Sequence, residues 1–399
     1  MSRPPLEVAD IIRAAGKNFI ERHRSWLTGL HRRILSAVEC CRTAALGGHR
    51  DRCSQCGHVV AISYNSCRNR HCPKCRNNAR NKWLSARQRE LLAAPYVHLV
   101  FTVPRTLSSL VLHNKKLLYT LLFRASSETL LQIAADPNHL GAEIGFFSVL
   151  HTWGQNLMLH PHVHCVIPAG GLSLNHKFWI HPRYRFFLPR GVLSRVFRGK
   201  FVAGLKRAFR RGELLLPGPL QSLADQKAFN AFLRTLYRHD WVVHVKPPFG
   251  GPQYVLKYMA HYTHRVAISN HRLISLSEGK VTFRWKDYRN GGQHKPMILT
   301  TDEFLRRFLL HALPAGFVRI RFFGYMANRR RAALLPICKQ LLETNPQQQV
   351  APPSHTSDTN KDCTWHCPLC GGQMIVIERL TAQQVFTEII RRKGLLDTS

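Results

Sequence analysis

The sequence contains no long apolar run and no recognisable sorting signal. No stretch of about 18 apolar residues is present, which disfavours a membrane-spanning helix. The opening residues, MSRPPLEVADIIRAAGK, lack the apolar core of a signal peptide, and no lipidation motif is found. We therefore expect a cytoplasmic protein without a membrane partner.

The phosphate-binding P-loop, G-x4-G-K-[ST], is also missing. Gly-Lys pairs begin at positions 16, 199 and 279, but Asn, Phe and Val follow them, and none of these offers the hydroxyl that the motif uses to bind magnesium. The sequence thus predicts no nucleotide cofactor.

Acidic residues are scarce. The chain has 22 Asp and Glu residues against 58 Lys and Arg residues, a formal net charge of +36 and a pI near 10.6. Because the basic residues run through the whole chain, the expected partner is nucleic acid held along an extended surface. No obvious cluster of carboxylates occurs, which gives weak evidence against an active site built from three acidic residues.

Length and composition indicate a folded protein of two or three domains. The 399 residues exceed the roughly 100–200 residues of one domain, and 45% hydrophobic with 10% aromatic residues disfavours a disordered chain. Residues 5–46 have helical spacing, and strands are predicted from Tyr96, at 145–153 and at 162–171. Antiparallel strands with helices interspersed predict an α+β fold.

Twelve cysteines without a secretory signal favour zinc in a reducing cytoplasm over disulfides. The strongest pattern is Cys53-x2-Cys56 followed, after fifteen residues, by Cys72-x2-Cys75. Four thiolates complete the tetrahedral shell of zinc and leave no position for a substrate, so we expect one structural zinc here. Either Cys67 or His71 is an alternative ligand.

Basic residues surround these two Cys-x2-Cys motifs, which are called knuckles below. The basic residues are expected to contact DNA phosphates. They are Arg50, Arg52, Arg68, Arg70, Lys74, Arg76 and Arg80. A second cysteine group, Cys363, His366, Cys367 and Cys370, contains only one knuckle. It forms half a zinc site, and the distant Cys338 is the remaining candidate to help complete it.

The segment His160-Pro161-His162-Val163-His164 is predicted to be a strand. Alternation places its histidines on one face and Val163 in the core, so two imidazoles two residues apart can bind one cation. On the preceding strand, His151 and Gln155 are an even number of positions apart, so their side chains point to the same face. Either could supply a third ligand. A strand that is merely rich in histidine is the alternative, because the chain has 23 histidines.

Three tyrosines, Tyr254, Tyr258 and Tyr262, are spaced four apart in a predicted helix over residues 250–265. Such a stripe is more often core packing, particularly beside Val255 and Met259. A phenol can, however, attack phosphorus to form a phosphotyrosine that conserves the bond energy for rejoining.

At these residues the sequence resembles the insertion sequence 91 family of rolling-circle transposases, which belong to the HUH (histidine, hydrophobic, histidine) endonucleases. The resemblance extends over nearly the whole chain. In order, it is carried by NSCRNRHCPKC, HPHVHCVIPAGG, KYMAHYTHRVAISNHR, RWKDYRNGG and RFFGYMANRRR.

The resemblance implies a central antiparallel sheet flanked by helices and a small N-terminal zinc module. It implies that His162 and His164 bind a divalent cation, Mg²⁺ or Mn²⁺, for which we prefer His151 over Gln155 as third ligand. Tyr258 and Tyr262 match the family's nucleophiles, with Tyr262 our first choice.

The expected organisation is a zinc-binding domain at 1–93, a catalytic domain at 94–336, and a linker with a cysteine-bearing tail at 337–399. The expected reaction is cleavage and rejoining of single-stranded DNA at element ends through a covalent 5′-phosphotyrosine. Arg68, Arg70, Arg76 and Arg265 are expected to bind this DNA, which implies association with the nucleoid. Replication initiators and relaxases share the chemistry, and a non-catalytic zinc regulator is the further alternative.

Overall fold

The computed structural model describes residues 4–182, 187–249, 255, 266–288, 290–343 and 366–392. The helices there are α1 Val8–Arg22, α2 Gly29–Glu39, α3 Arg76–Gln88, α4 Ser108–His113, α5 Lys115–Ala135, α6 Arg190–Arg210, α7 Gln226–Thr235, α8 Thr301–Leu310, α9 Asn328–Glu343 and α10 Ala382–Arg392. The strands are β1 Gly48–Cys53, β2 Val59–Tyr64, β3 Tyr96–Thr102, β4 Gly145–Trp153, β5 Leu159–Pro168, β6 Gly171–Leu172, β7 Trp179–Ile180, β8 Val243–Phe249, β9 Leu273–Ser277, β10 Lys280–Asp287, β11 Gln293–Thr300, β12 Ile320–Gly324 and β13 Met374–Leu380.

A five-stranded antiparallel sheet in the order β12-β4-β5-β3-β8 forms the centre of the molecule. Alternate residues of its strands, including Phe101, Leu150 and Val163, enter a large apolar core with α5 and α6. Fully burying a side chain of this size stabilises the fold by about 1.5–3 kcal/mol. The mixed architecture confirms the predicted α+β class.

The opposite face of this sheet carries a smaller apolar cluster. Tyr96, Phe147, Val149 and Val166 are buried there, and Val255 is buried with them. Half-buried apolar residues of α3 pack against the same cluster, so the helix that follows the second cysteine knuckle lies over this face.

A second core joins the N-terminal helices to the three-stranded sheet β11-β10-β9 and to α8. Helix α1 is preceded by a capping box between Glu7 and Asp10. The N-cap of α2 is Thr28, whose side chain accepts a hydrogen bond from the backbone amide of His31. Their buried apolar residues meet Phe283 of β10. The N-terminal module is thus packed against the part of the chain that follows the tyrosine segment.

A third sheet, in the order β13-β1-β2, brings the two ends of the chain together. The antiparallel pairing of β1 with β13 extends from Gly48 opposite Leu380 to Cys53 opposite Met374. The C-terminal segment is therefore part of the same sheet as the N-terminal knuckle.

The observed elements follow the sequence pattern in much of the chain, with some differences. Residues 5–46 form two helices, α1 and α2, because the chain turns between Arg22 and Gly29. The strands β1, β2, β7, β11, β12 and β13 and the helices α8, α9 and α10 were not predicted. The predicted linker at 345–361 and, except for Val255, the predicted helix at 250–265 lie outside the described residues. Among the helices described, none is long and apolar enough to span a membrane.

Candidate functional site

Three histidines meet on one face of the central sheet. His151 of β4 lies directly opposite His162 of β5, and directly opposed residues of antiparallel strands share a face. His164 follows His162 by two positions and so has the same orientation. One ring nitrogen from each of the three lies within 4.8 Å of the others. The site therefore follows from strand register and alternation.

The three rings are held by contacts with neighbouring rings. The His151 and His164 centroids lie 4.4 Å apart, and those of His162 and His164 lie 4.8 Å apart. His151 also stacks on Trp153, with centroids 4.8 Å apart and an angle of 18° between the planes. His151 and His164 are buried, whereas His162 is only half-buried. Solvent and a ligand can thus reach the cluster from the side of His162.

Hydrogen bonds orient two of the imidazoles. The Nδ1 atom of His162 lies 2.7 Å from the backbone oxygen of His160, so Nδ1 donates in this bond and Nε2 is the nitrogen that would bind a cation. A second bond joins Nδ1 of His164 to Nε2 of His98 at 2.8 Å. When His164 donates in that bond, its own Nε2 is the nitrogen able to bind a cation.

His98 was not identified from the sequence. It lies on β3 with its ring stacked on His164, the centroids 5.0 Å apart and the planes at 6°. Its side chain is buried, and this burial, followed by the nearby charges of Lys246, His244 and His162, lowers its pKa to about 3. His98 is therefore a neutral imidazole. A histidine within the apolar strand YVHLVFT is the sequence signal that could have indicated it.

The donor set suits a divalent cation with open coordination positions. Three imidazoles would occupy half of an octahedral shell and would leave the remaining positions to water or phosphate oxygens. His151, which the sequence favoured over Gln155, is the residue that lies with His162 and His164. The backbone of Gln155 lies in the turn after β4, where its carbonyl oxygen accepts a hydrogen bond from Arg272.

The predicted nucleophiles Tyr258 and Tyr262 lie outside the described residues, as do Tyr254 and Arg265. From the segment 250–265 the structure describes Val255, which is helical and fully buried. It packs with Val149, the residue opposite His164, and so lies on the face of the sheet that carries the histidines.

The cysteines form two clusters, which corrects the predicted single zinc site. Cys72 and Cys75 lie with Cys41 and Cys67. The Sγ atoms of Cys67 and Cys75 are 3.7 Å apart, and the amide of Cys67 lies 3.5 Å from the Sγ of Cys41. Cys67, an alternative ligand in the sequence interpretation, is thus part of the cluster. Cys41 was missed because it follows Cys40 directly at the end of α2 and is not part of a Cys-x2-Cys motif.

Cys53 and Cys56 lie instead with Cys367 and Cys370. The reason is the pairing of β1 with β13, which brings the two knuckles to the same end of one sheet. Knuckle spacing identifies zinc ligands but does not determine which knuckles meet. Cys338, considered as a partner for the C-terminal knuckle, is buried in a separate apolar cluster, and Cys363 lies outside the described residues.

Several of the predicted phosphate-binding residues have acidic partners. Arg50 forms ion pairs with Glu378 and Glu388, which raise its pKa, and Lys74 lies 2.8 Å from Glu7. The remaining predicted residues differ in exposure: Arg52, Arg68 and Arg70 are exposed, Arg80 is half-buried, and the side chain of Arg76 is outside the described part. Arg70 also donates to the backbone oxygen of Phe317.

The histidine cluster and the Cys41 cluster each fall within a segment that matches a transposase family. Two families match the chain: "Transposase zinc-binding domain" over residues 11–103, and "Putative transposase" over residues 145–333. The first contains all four cysteines of the Cys41 cluster, and the second contains the three histidines.

Two curated relatives extend over almost the full chain. One is "Putative transposase y4qJ" of Sinorhizobium fredii, 51% identical over 386 residues, which cover 95% of this chain and 96% of the relative. The other is "Transposase for insertion sequence element IS801" of Pseudomonas savastanoi pv. phaseolicola, 27% identical over 92% of this chain and 91% of the relative. The chain belongs to the IS91 family of transposases. No solved structure gives a significant match.

Proposed function

We propose that this transposase cleaves and rejoins single-stranded DNA at the ends of its element through a covalent 5′-phosphotyrosine, as in rolling-circle transposition. The position of Val255 is the observation that carries the proposal. This residue is buried on the face of the central sheet that bears the three histidines. Val255 belongs to the predicted tyrosine helix, and its position supports the proposal that the tyrosines of this helix act at the candidate metal site.

The helical periodicity predicted for residues 250–265 makes this more specific. Because each residue turns an α-helix by about 100°, Tyr262 would lie about 20° around the axis from Val255, Tyr258 about 60° and Tyr254 about 100°. The two tyrosines that match the family would thus face the histidines more directly than Tyr254 would. Tyr262 is our preferred nucleophile for the first cleavage.

His151, His162 and His164 would hold the cation, with Mn²⁺ a better match than Mg²⁺ because Mg²⁺ strongly prefers oxygen ligands. A bound divalent cation neutralises charge on the scissile phosphate and orients it. Trp153 and His98 fix two of the ligand rings before DNA binds. This pre-organisation reduces the rearrangement required during the reaction.

The chemistry balances without a further reactant. The phenolic oxygen of tyrosine bonds to phosphorus while the bond from phosphorus to the 3′ oxygen breaks. The phenol loses its proton to solvent, and the leaving 3′ oxygen takes one up. A free 3′ hydroxyl reverses the step on another end, so the phosphodiester is restored without ATP.

DNA binding is proposed to depend on exposed basic residues. Arg68 and Arg70, with Arg76 and Arg265, are the candidates for contact with the phosphates of the single strand. With so large a positive charge, the protein would remain bound to the nucleoid between reactions.

Covalent trapping tests the reaction. The full chain is incubated with single-stranded DNA of the element ends and Mn²⁺, then denatured, and the adduct is mapped by mass spectrometry. We expect an adduct on Tyr262, lost or sharply reduced in Tyr262→Phe, which removes only the attacking oxygen. Tyr254→Phe is the matched control and should behave as the wild type.

The same experiment separates the alternatives. A zinc regulator would give no cleavage, and a site of three carboxylates would cleave without an adduct. Either result contradicts the proposal. A replication initiator or relaxase would form the adduct, but it would not join element ends to a target strand.

A further inference from the structure

The two knuckles of the Cys53 cluster have the same local sequence. Cys53-Ser-Gln-Cys56-Gly57 and Cys367-Pro-Leu-Cys370-Gly371 both read Cys-x2-Cys-Gly. Gly57 and Gly371 each have φ of 73°, a left-handed conformation that a side chain would disfavour. The two knuckles therefore share both their sequence pattern and their backbone conformation, which indicates that they serve the same role.

The hydrogen bonds of the two knuckles repeat as well. The amide of Gly57 donates to the backbone oxygen of Cys53 at 3.2 Å, and that of Gly371 to Cys367 at 2.9 Å. The amide of each first cysteine donates to the residue five positions later, at 2.8 Å for Cys53 and 2.7 Å for Cys367. Each knuckle is thus a closed turn that holds its two sulfurs on one side.

Backbone amides also point at the sulfurs. Those of Gln55 and Leu369 lie 3.4 Å from the Sγ of the first cysteine in their knuckles, Cys53 and Cys367. The amide of Gly372 lies 3.4 Å from the Sγ of Cys370. Donors at this position stabilise the thiolate, which is the form of cysteine that binds metal.

The four sulfurs lie within 4.8 Å of one another, and two of their separations are close to those of a tetrahedral shell. The Sγ atoms of Cys53 and Cys370 are 3.4 Å apart, and those of Cys56 and Cys367 are 3.6 Å apart. Zinc–sulfur bonds of about 2.3 Å in a tetrahedron require sulfurs about 3.8 Å apart, whereas a disulfide requires about 2.05 Å. The arrangement is therefore that of a zinc site.

We propose that Cys53, Cys56, Cys367 and Cys370 bind a second structural zinc that fastens the C-terminal segment to the N-terminal module. Two of its ligands lie outside residues 11–103, the part that matches the zinc-binding family, so this site is separate from the Cys41 cluster. The proposal is independent of the tyrosine chemistry, because the site is closed and has no position for DNA.

Other contacts join the same two segments. β1 and β13 pair along their whole lengths, and Arg50 of β1 bridges Glu378 of β13 and Glu388 of α10 at 2.6 and 2.7 Å. The ion pairs are partly exposed and contribute little. Zinc would add a strong link to these contacts, because a small three-stranded sheet with few buried apolar residues is only marginally stable by itself.

Zinc counting by native mass spectrometry tests the site. The variant His162→Ala/His164→Ala serves as the parent, so that zinc bound by histidine is not counted. We expect two zinc ions per chain in this parent and one after adding either Cys367→Ser/Cys370→Ser or Cys72→Ser/Cys75→Ser. Cys40→Ser, a cysteine outside both clusters, is the control and should keep two. One zinc in the parent, or two after Cys367→Ser/Cys370→Ser, would overturn the proposal.

A second measurement tests the site without cysteine substitutions, in case the cysteine variants fail to fold. A protease site is placed within residues 345–361 of the full chain, and the chain is cleaved and passed over a sizing column. The C-terminal piece should remain bound in the presence of zinc and should separate after treatment with a strong chelator. Retention that survives chelation would contradict the fastening role.

Discussion

The histidine cluster and the two cysteine clusters differ in how much of a coordination shell the protein supplies. Each cysteine cluster has four sulfurs, so zinc there would be enclosed and would contribute to stability. The histidine cluster has three ligands and is open on the side of His162, so a cation there would keep positions for phosphate. The number of ligands thus separates a structural role from a catalytic one within one chain.

Loss of a histidine ligand should give the largest effect on activity. We expect His162→Ala and His164→Ala each to reduce cleavage by more than about 100-fold, the upper range for losing an outer-shell partner of a metal. Affinity for single-stranded DNA should change little, because phosphate contacts elsewhere dominate binding. Gel-based cleavage and fluorescence anisotropy measure the two quantities. Normal cleavage by both variants would contradict the assignment of the metal site.

Loss of the Cys41 cluster should instead act through folding. Cys72→Ser/Cys75→Ser removes two buried sulfurs from the core that joins α1 and α2 to the sheet β9–β11. We expect loss of one zinc, reduced solubility and weaker DNA binding, with cleavage falling only as far as folded protein is lost. Zinc content and circular dichroism provide the check, and unchanged zinc would contradict the assignment.

His98 should have an intermediate effect, on metal affinity alone. His98→Phe removes the hydrogen bond that orients His164 and should raise the Mn²⁺ concentration needed for cleavage by about 10–100-fold. His98→Gln, which can still accept that bond, should recover part of the loss. Titration of cleavage with Mn²⁺ measures both. A purely structural role would lower the folded fraction and leave the Mn²⁺ midpoint where it was.

Single basic residues should give the smallest effect. If the exposed Arg68 contacts one phosphate, Arg68→Gln should reduce the slope of log affinity against log salt by about 0.7 for a single strand. Arg124→Gln is the control, because Arg124 pairs with Glu128 on α5, which packs on the face of the central sheet opposite the histidines. Equal slopes for Arg68→Gln and the wild type would exclude this contact.

The sequence predicted those parts of the sites that depend on local spacing. Alternation along β5 placed the side chains of His162 and His164 on one face. Alternation along the preceding strand made His151 a candidate for the same face. The grouping of the cysteines could not be predicted, because it depends on β1 pairing with a strand near the other end of the chain. His98 was also missed because its contact depends on strand pairing: its hydrogen bond to His164 joins two strands, β3 and β5, that are far apart in the sequence.

The fold shows the same limit. Strands β4 and β5 were predicted closely because both are short runs rich in apolar residues and a short turn separates them. The edge strand β12 was missed because its five residues pair with β4 only after the chain has completed the intervening elements. The boundaries at 93 and 336 remain predictions, although packing of α1 and α2 against β9–β11 connects regions on both sides of the first boundary.

The pairing of β1 with β13 has a consequence for synthesis on the ribosome. β1 leaves the ribosome long before β13 is made, so at about 5–20 residues per second it lacks this partner strand for a time on the order of tens of seconds. During that time one edge of β1 is unpaired and the thiols of Cys53 and Cys56 lack their partners, conditions that favour aggregation. We expect a chain that terminates before Cys367 to be cleaved by proteases faster than the 399-residue chain, because β1 and two of the four thiols of its cluster then stay without partners.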